Sequence, residues 1–156
     1  MVGKNILEHL KASQYTILTP GSRELNLLNK EDVFHYMKEH SPDIVIHCAG
    51  LVGGIQANMK EPVRFLVENL DMGKNVVLAS EACGVKQFLN MASSCMYPKD
   101  HLDLLTEDLI LTGPLEPTNE GYALAKITTM KLGLYINQEK EKTIFKTLIP
   151  CNLYGR

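Results

Sequence analysis

The run from Asp43 to His47 constrains this chain more than any other segment. It sets Ile-Val-Ile just beyond Pro42 and leads into Ala49-Gly50 and then Gly53-Gly54. An unbroken apolar run of this kind is the pattern of a strand buried on both faces, and a glycine-bearing loop follows it. Such a strand needs helices on either side.

The flanking sequence supplies them. Phe65, Leu66, Asn69, Gly73, Val76, Val77 and Ala79 fall at helical spacing between Pro62 and Ala82, and Gly84 stands where it stops that helix. A second long helix is expected from Thr118 to about Glu139, and shorter ones from Gly3 to about Lys11 and from Lys30 to Glu39, the latter with Val33, Phe34 and Met37 as its apolar face. Further strands are expected at Tyr15 to Leu18, Phe88 to Ala92 and Thr143 to Ile149. Lys99 to Pro117, with Gly113, Pro114 and Pro117, reads as a surface loop or lid. Strands alternating with helices of this length specify an α/β chain with a mainly parallel sheet.

At 156 residues the chain suffices for one domain that hides about 68–70% of its unfolded surface. Hydrophobic residues at 45% and charged residues at 22% exclude a disordered or collagen-like chain. The net charge is -2 and the Lys and Arg residues are scattered, which leaves no electrostatic footprint for nucleic acid. No apolar run approaches the ~20 residues that span a bilayer. Cys48, Cys83, Cys95 and Cys151 lack CxxC spacing and read as reduced thiols of a cytoplasmic protein, and the five histidines lack ligand spacing, so no metal is expected.

Tyr122 and Lys126 stand four apart near the start of a helix, so both side chains leave one face. An ammonium beside a phenol stabilises the phenolate and lowers its pKa from about 10 toward the range of proton transfer. The same lysine can bind a ribose hydroxyl, although an exposed Tyr and Lys at this spacing are also common. Ala92-Ser93-Ser94-Cys95-Met96-Tyr97-Pro98 begins at the carboxyl end of a strand, where open α/β sheets place ligands. There Ser93 can hydrogen-bond a carbonyl oxygen and Cys95 can carry a proton; the plain alternative is a small-residue turn with a half-buried thiol. Arg23, within Ser22 to Leu27, follows the strand after which such folds hold a 2′-phosphate, or else it is a solvated surface side chain.

Taken in order, Met1-Val2-Gly3, Glu24-Leu25-Asn26-Leu27-Leu28, Val52-Gly53-Gly54-Ile55, Ser93-Ser94-Cys95-Met96-Tyr97-Pro98, Leu115-Glu116-Pro117-Thr118-Asn119-Glu120, Tyr122-Ala123-Leu124-Ala125-Lys126 and Asn152-Leu153-Tyr154-Gly155 closely resemble the GDP-L-fucose synthase family of extended short-chain dehydrogenase/reductases. The resemblance covers essentially the whole chain and about half of a family member. It implies an NAD(P)-binding Rossmann fold, NADP(H) as cofactor, and epimerisation at C3 and C5 followed by reduction at C4 of GDP-4-keto-6-deoxy-D-mannose. It also implies a homodimer in the complete enzyme. By position it makes Cys95 the proton-transferring thiol, Ser93 the carbonyl-binding hydroxyl, Tyr122 the proton donor to O4 and Lys126 the ligand of the cofactor ribose. Cofactor contacts are implied at Met1, Val2 and Gly3, at Ser22, Arg23, Glu24, Leu25, Asn26 and Leu27, at Met91, Ala92, Ser93 and Ser94, and at Pro150, Cys151, Asn152 and Leu153.

The family begins with a strand and a GxxGMVG-type loop, whereas this sequence starts at the MVG. Residues 1–156 are therefore expected to form an incomplete dinucleotide-binding domain, a partial doubly wound sheet without its first strand. Two strand edges are expected to lie unpaired, with weak folding and weak cofactor binding as the consequence. The family's catalytic histidine and substrate domain fall beyond Asn152-Leu153-Tyr154-Gly155. Gly121 replaces a frequent proline at the helix start. The alternatives are a non-catalytic remnant that binds nucleotide weakly or dimerises, and a different NAD(P)-dependent nucleotide-sugar epimerase.

Overall fold

A computed structural model describes residues 1–139 and 143–153. Tyr154 and Gly155 of the last motif, and the connection at 140–142, lie outside the described residues. The elements run α1 (Val2–Leu7), α2 (Lys30–His40), β1 (Ile44–His47), α3 (Ile55–Lys60), α4 (Pro62–Ala82), β2 (Gln87–Met91), α5 (Glu120–Glu139) and β3 (Ile144–Leu148), with three short 3-10 turns. The three strands form one parallel sheet in the order β1-β2-β3. The fold is α/β, as the alternation of strands and helices requires.

The helix ends are written locally. Asn29 caps α2 by accepting from the amides of Glu31 and Asp32, and Pro62 opens α4 where a missing N–H removes no hydrogen bond. Gly84, at φ 72, ends α4. The amide of Val85 reaches back to the Ser80 carbonyl at 3.0 Å and that of Gly84 to Glu81 at 3.2 Å, the closure that a left-handed residue permits.

Two apolar clusters hold the layers together. One joins Val33 and Met37 of α2, Val76 and Val77 of α4, and the rings of Phe88 and Phe145 on β2 and β3. The other lies beyond the carboxyl end of β2 and gathers Met96, Ile110, Leu115, Ala123, Ile127 and Met130. The segment expected to be a surface loop is thus anchored at Ile110 and Leu115, while Leu102 and Leu104 project into solvent. Helices α4 and α5 approach closely: a Cβ on Gly121 would lie 2.9 Å from the Pro62 carbonyl oxygen. Any side chain at that position would force the two helices to shift.

Four expectations need correction. Tyr15 to Leu18 is not a strand; it is exposed and pairs with no described residue, and a strand exists only where a neighbour completes its ladder. β1 is not buried on both faces, since it is a sheet edge with Ile44 at 48% and Ile46 at 41% exposure. The first helix ends at Leu7 instead of Lys11, and it holds no buried residue, so little packing supports a further turn. Phe34 faces outward, leaving Val33 and Met37 as the buried face of α2.

Candidate active site

The carboxyl end of β2 delivers Met91 and Ala92, and the chain then tightens into a 3-10 turn over Ser94–Met96. Ser93 sits extended at the head of this turn, and its Oγ accepts from the amide of Cys95 at 3.4 Å. Met96, wholly buried, pins the turn to the second core cluster. Ser93 and Cys95 are therefore held on a short, anchored support. The first two turns of α5 bring Tyr122 and Lys126 to the same end of the sheet.

Lys126 is 7% exposed. Its Nζ donates to the Met91 carbonyl at 3.1 Å and lies 5.7 Å from the centre of the Tyr122 ring. Burial lowers its pKa, while negative charge on Cys95 or Cys48 pushes it back up. Cys95 is held above the usual thiol range by burial, against the opposing pull of a hydrogen bond with Ser93 and of the Lys126 charge. These mutual effects place Ser93, Cys95, Tyr122 and Lys126 in one neighbourhood.

Tyr122 reverses an expectation. Its pKa is pushed up to about 12, first by burial and then by the charge of Cys95. The ammonium approaches the ring face, where a cation meets the π-system, so burial decides the outcome. At neutral pH the phenol keeps its proton and can serve as a proton donor.

The expected cofactor residues divide by position. Gly3 faces β1's continuation, with its Cβ position 3.9 Å from Cys48 Cβ, and the amino terminus of Met1 is close enough to influence that thiol. Val2 opens α1 beside them. In the 22–27 segment, Ser22 and Arg23 are exposed, Glu24 accepts from the Gly21 amide at 2.7 Å, Asn26 accepts from Leu28, Leu25 is buried in the first core cluster, and the Leu27 carbonyl accepts from Asn75 at 2.9 Å. Leu25 thus leaves only its backbone for a ligand. The Ala92 amide is spent on the Leu148 carbonyl. Ser94 and Asn152 line a cavity of about 490 Å³ with Ser93 and Cys95, while Pro150 is half-buried and Cys151 and Leu153 are exposed nearby in sequence.

Sequence reasoning passed over four neighbours. His47 is 5% exposed, and burial, then the Lys126 charge, lowers its pKa to about 4. Cys48 shares the charge of Lys126. A Cβ on Gly50 would stand 3.6 Å from Lys126 Nζ and 3.0 Å from Asn69 Oδ1, and Asn69 braces this loop by bonding the amide and carbonyl of Leu51. For His47, Cys48 and Gly50, only their place at the end of an apolar strand, ahead of paired glycines, could have flagged them; Asn69, within α4, carries no such signal.

Parallel strands between helices, with a Tyr-Lys pair and a Ser-Cys turn at the strands' carboxyl ends, define a Rossmann-type nucleotide-dependent enzyme class. The chain belongs to the NAD dependent epimerase/dehydratase family, which it matches over residues 1–156. It is 57% identical over 156 residues to GDP-L-colitose synthase of Yersinia pseudotuberculosis, across 100% of this chain and 51% of that protein. It is 46% identical over 155 residues to a GDP-L-fucose synthase of Azorhizobium caulinodans, across 99% of this chain and 49% of that one. Among solved structures, the GDP-mannoheptose C4 reductase MlghC of Campylobacter jejuni, with NADP bound, superposes with a TM-score of 0.91 at 30% identity, covering 97% of this chain and 48% of its own. The chain spans about half the length of the curated relatives it matches.

Proposed function

We propose that this chain is the cofactor-binding part of a GDP-sugar epimerase/reductase that uses NADPH and takes GDP-4-keto-6-deoxy-D-mannose to GDP-L-fucose. The observation that carries the proposal is the buried Lys126 ammonium beside Tyr122. It has three donors and one protein acceptor among the described residues, the Met91 carbonyl. A buried cation with spare donors suits a hydroxyl-rich ligand such as a nucleoside ribose. The residues present therefore fit the dinucleotide.

When bound, NADPH supplies hydride to the C4 carbon. The protein's part is proton transfer and charge stabilisation. Protons on carbons flanking a ketone are acidic because the charge left behind spreads onto the carbonyl oxygen, where Ser93 Oγ and the Tyr122 hydroxyl can donate. Cys95, kept as a thiol by burial, returns a proton to such a carbon, and the proton removed beforehand would pass to the histidine that the resemblance sets beyond Asn152-Leu153-Tyr154-Gly155. Tyr122, kept as a phenol, gives its proton to O4 as the alcohol forms. Lys126 orients the ribose, and Arg23 and Ser22 receive the 2′-phosphate that distinguishes NADPH. The protein acts on small nucleotide sugars in the cytoplasm and works as a homodimer.

The greater identity to the Yersinia GDP-L-colitose synthase, 57% against 46%, favours a second reading in which colitose is the product sugar. One assay separates the two. The intact protein is given NADPH with either GDP-4-keto-6-deoxy-D-mannose or its 3-deoxy analogue, oxidation is followed by absorbance, and the products are chromatographed against GDP-L-fucose and GDP-L-colitose. GDP-L-fucose with matching NADPH loss supports the first reading; oxidation and GDP-L-colitose with the 3-deoxy analogue alone moves the assignment to the second.

A further inference from the structure

Asn119 immediately precedes α5, and its carbonyl accepts the Ala123 amide at 3.0 Å, which makes it the N-cap residue of that helix. Asparagine at this position ordinarily turns Oδ1 onto the next free amides. Asn29 does so on α2, at 3.0 Å and 3.4 Å. Asn119 does not. Its Oδ1 is sealed from solvent without a hydrogen-bond partner, and the rest of its carboxamide bonds to no described residue.

Among the described residues, four other buried side-chain atoms lack partners, at Asn58, Ser80, Asn90 and Thr143. Asn58 and Asn90 still commit their Nδ2 ends, to the Gly53 and Gly54 carbonyls and to Thr147, and Ser80 and Thr143 border neither cavity. Asn119 commits neither end of its carboxamide and borders both cavities. It shares the larger cavity with Ser93 and Cys95, and a smaller one of about 250 Å³ with Tyr122.

A buried polar group without a partner is a standing cost in a folded protein, and it persists where a ligand relieves it. A carboxamide sets a donor and an acceptor side by side, and a half-turn about its last torsion exchanges them at little cost. With Oδ1 sealed, one end of the carboxamide meets a ligand at a time, and a neutral hydroxyl, which both donates and accepts, suits whichever end is presented.

We propose that Asn119 is a positioning residue that grips a sugar hydroxyl next to the reacting carbonyl, holding the ring between Cys95 and Tyr122. This inference rests on the reading of the site as one for a keto-sugar nucleotide. Since the side chain makes no cap, Asn119→Ala removes no helix contact.

In the intact protein, Asn119→Ala is expected to raise KM and calorimetric Kd for GDP-4-keto-6-deoxy-D-mannose about tenfold, the scale of one hydrogen-bonded pair. NADPH affinity and melting temperature stay at wild-type values. Asn119→Asp, which keeps the acceptor and loses the donor, falls between. Unchanged KM and Kd in Asn119→Ala overturn the inference, as does a lowered melting temperature accompanied by equal losses in NADPH and sugar binding, which would mark a structural role. If wild type binds the sugar nucleotide without oxidising NADPH, the functional reading fails, and calorimetry alone still decides the role of Asn119. If wild type does not bind it, both fail.

Discussion

Lys126 Nζ donates to the carbonyl of Met91 at 3.1 Å, tying α5 to the last residue of β2 across 35 residues of sequence. A buried ammonium held by one carbonyl is a costly arrangement unless something else uses its remaining donors. Lys126→Met keeps the length of the side chain and discards the charge. NADPH affinity is expected to fall at least about tenfold, the equivalent of ~1.4 kcal/mol, while urea denaturation shows little loss of stability because the desolvation cost disappears with the charge. A variant with wild-type NADPH affinity in a fluorescence titration would remove the lysine from the cofactor site.

The proposed mechanism gives Tyr122 and Cys95 separable duties. Tyr122→Phe leaves the thiol in place and deletes the proton given to O4, so NADPH oxidation should fall by about 10²–10⁴-fold. Exchange of substrate carbon-bound protons with deuterated solvent should continue. Cys95→Ser should do the opposite, suppressing the exchange more than the reduction. Equal loss of both activities in both variants contradicts the division of roles, and proton NMR alongside the absorbance assay reads it.

The extent to which the site is legible in the sequence depends on what each property requires. Pro62, Gly84 and the i, i+4 spacing of Tyr122 and Lys126 act over a few residues, and the helices and the Tyr-Lys face follow from them. Edges and burial are properties of neighbours. Ile44-Val45-Ile46 has the composition of a central strand yet forms a sheet edge, and Tyr15 to Leu18 has strand composition without a partner to pair with. The Tyr122 acidity was misread for the same reason: spacing reveals an adjacent cation, but the burial that outweighs it comes from the packing of α5. Asn119 is invisible as a spacing signal because what distinguishes it is a missing hydrogen bond.

Gly73 sets the separation of α4 and α5. A Cβ there would stand 2.9 Å from Thr129 Cγ2 and closer still to Thr129 Oγ1, which itself donates to the Ala125 carbonyl at 3.0 Å. Gly73→Ala is expected to destabilise the fold by about 1–3 kcal/mol through overpacking, more than the helix propensity of alanine returns. Adding Thr129→Ala removes the obstruction and should recover most of the loss. Urea titration of the two singles and the double gives the coupling; additivity would mean that the helices do not meet at this pair.

His47 makes acid sensitivity a property of the same site. Burial, seconded by the Lys126 charge, lowers its pKa from 6.5 to about 4. Above pH 6.5 the imidazole is neutral in both folded and unfolded chains, and its titration has no effect on stability. Between pH 6.5 and about 4 the unfolded chain takes up a proton that the folded one refuses, so stability falls as pH falls, and the loss is complete below about 4. At ~1.36 kcal/mol per unit the full loss is about 3 kcal/mol. His47→Gln cannot titrate, so its stability should decline less steeply over that interval, by roughly that amount in total. Denaturant melts at pH 7, 5.5 and 4 measure the difference, and parallel declines in wild type and variant would show that the imidazole is not buried in its neutral form.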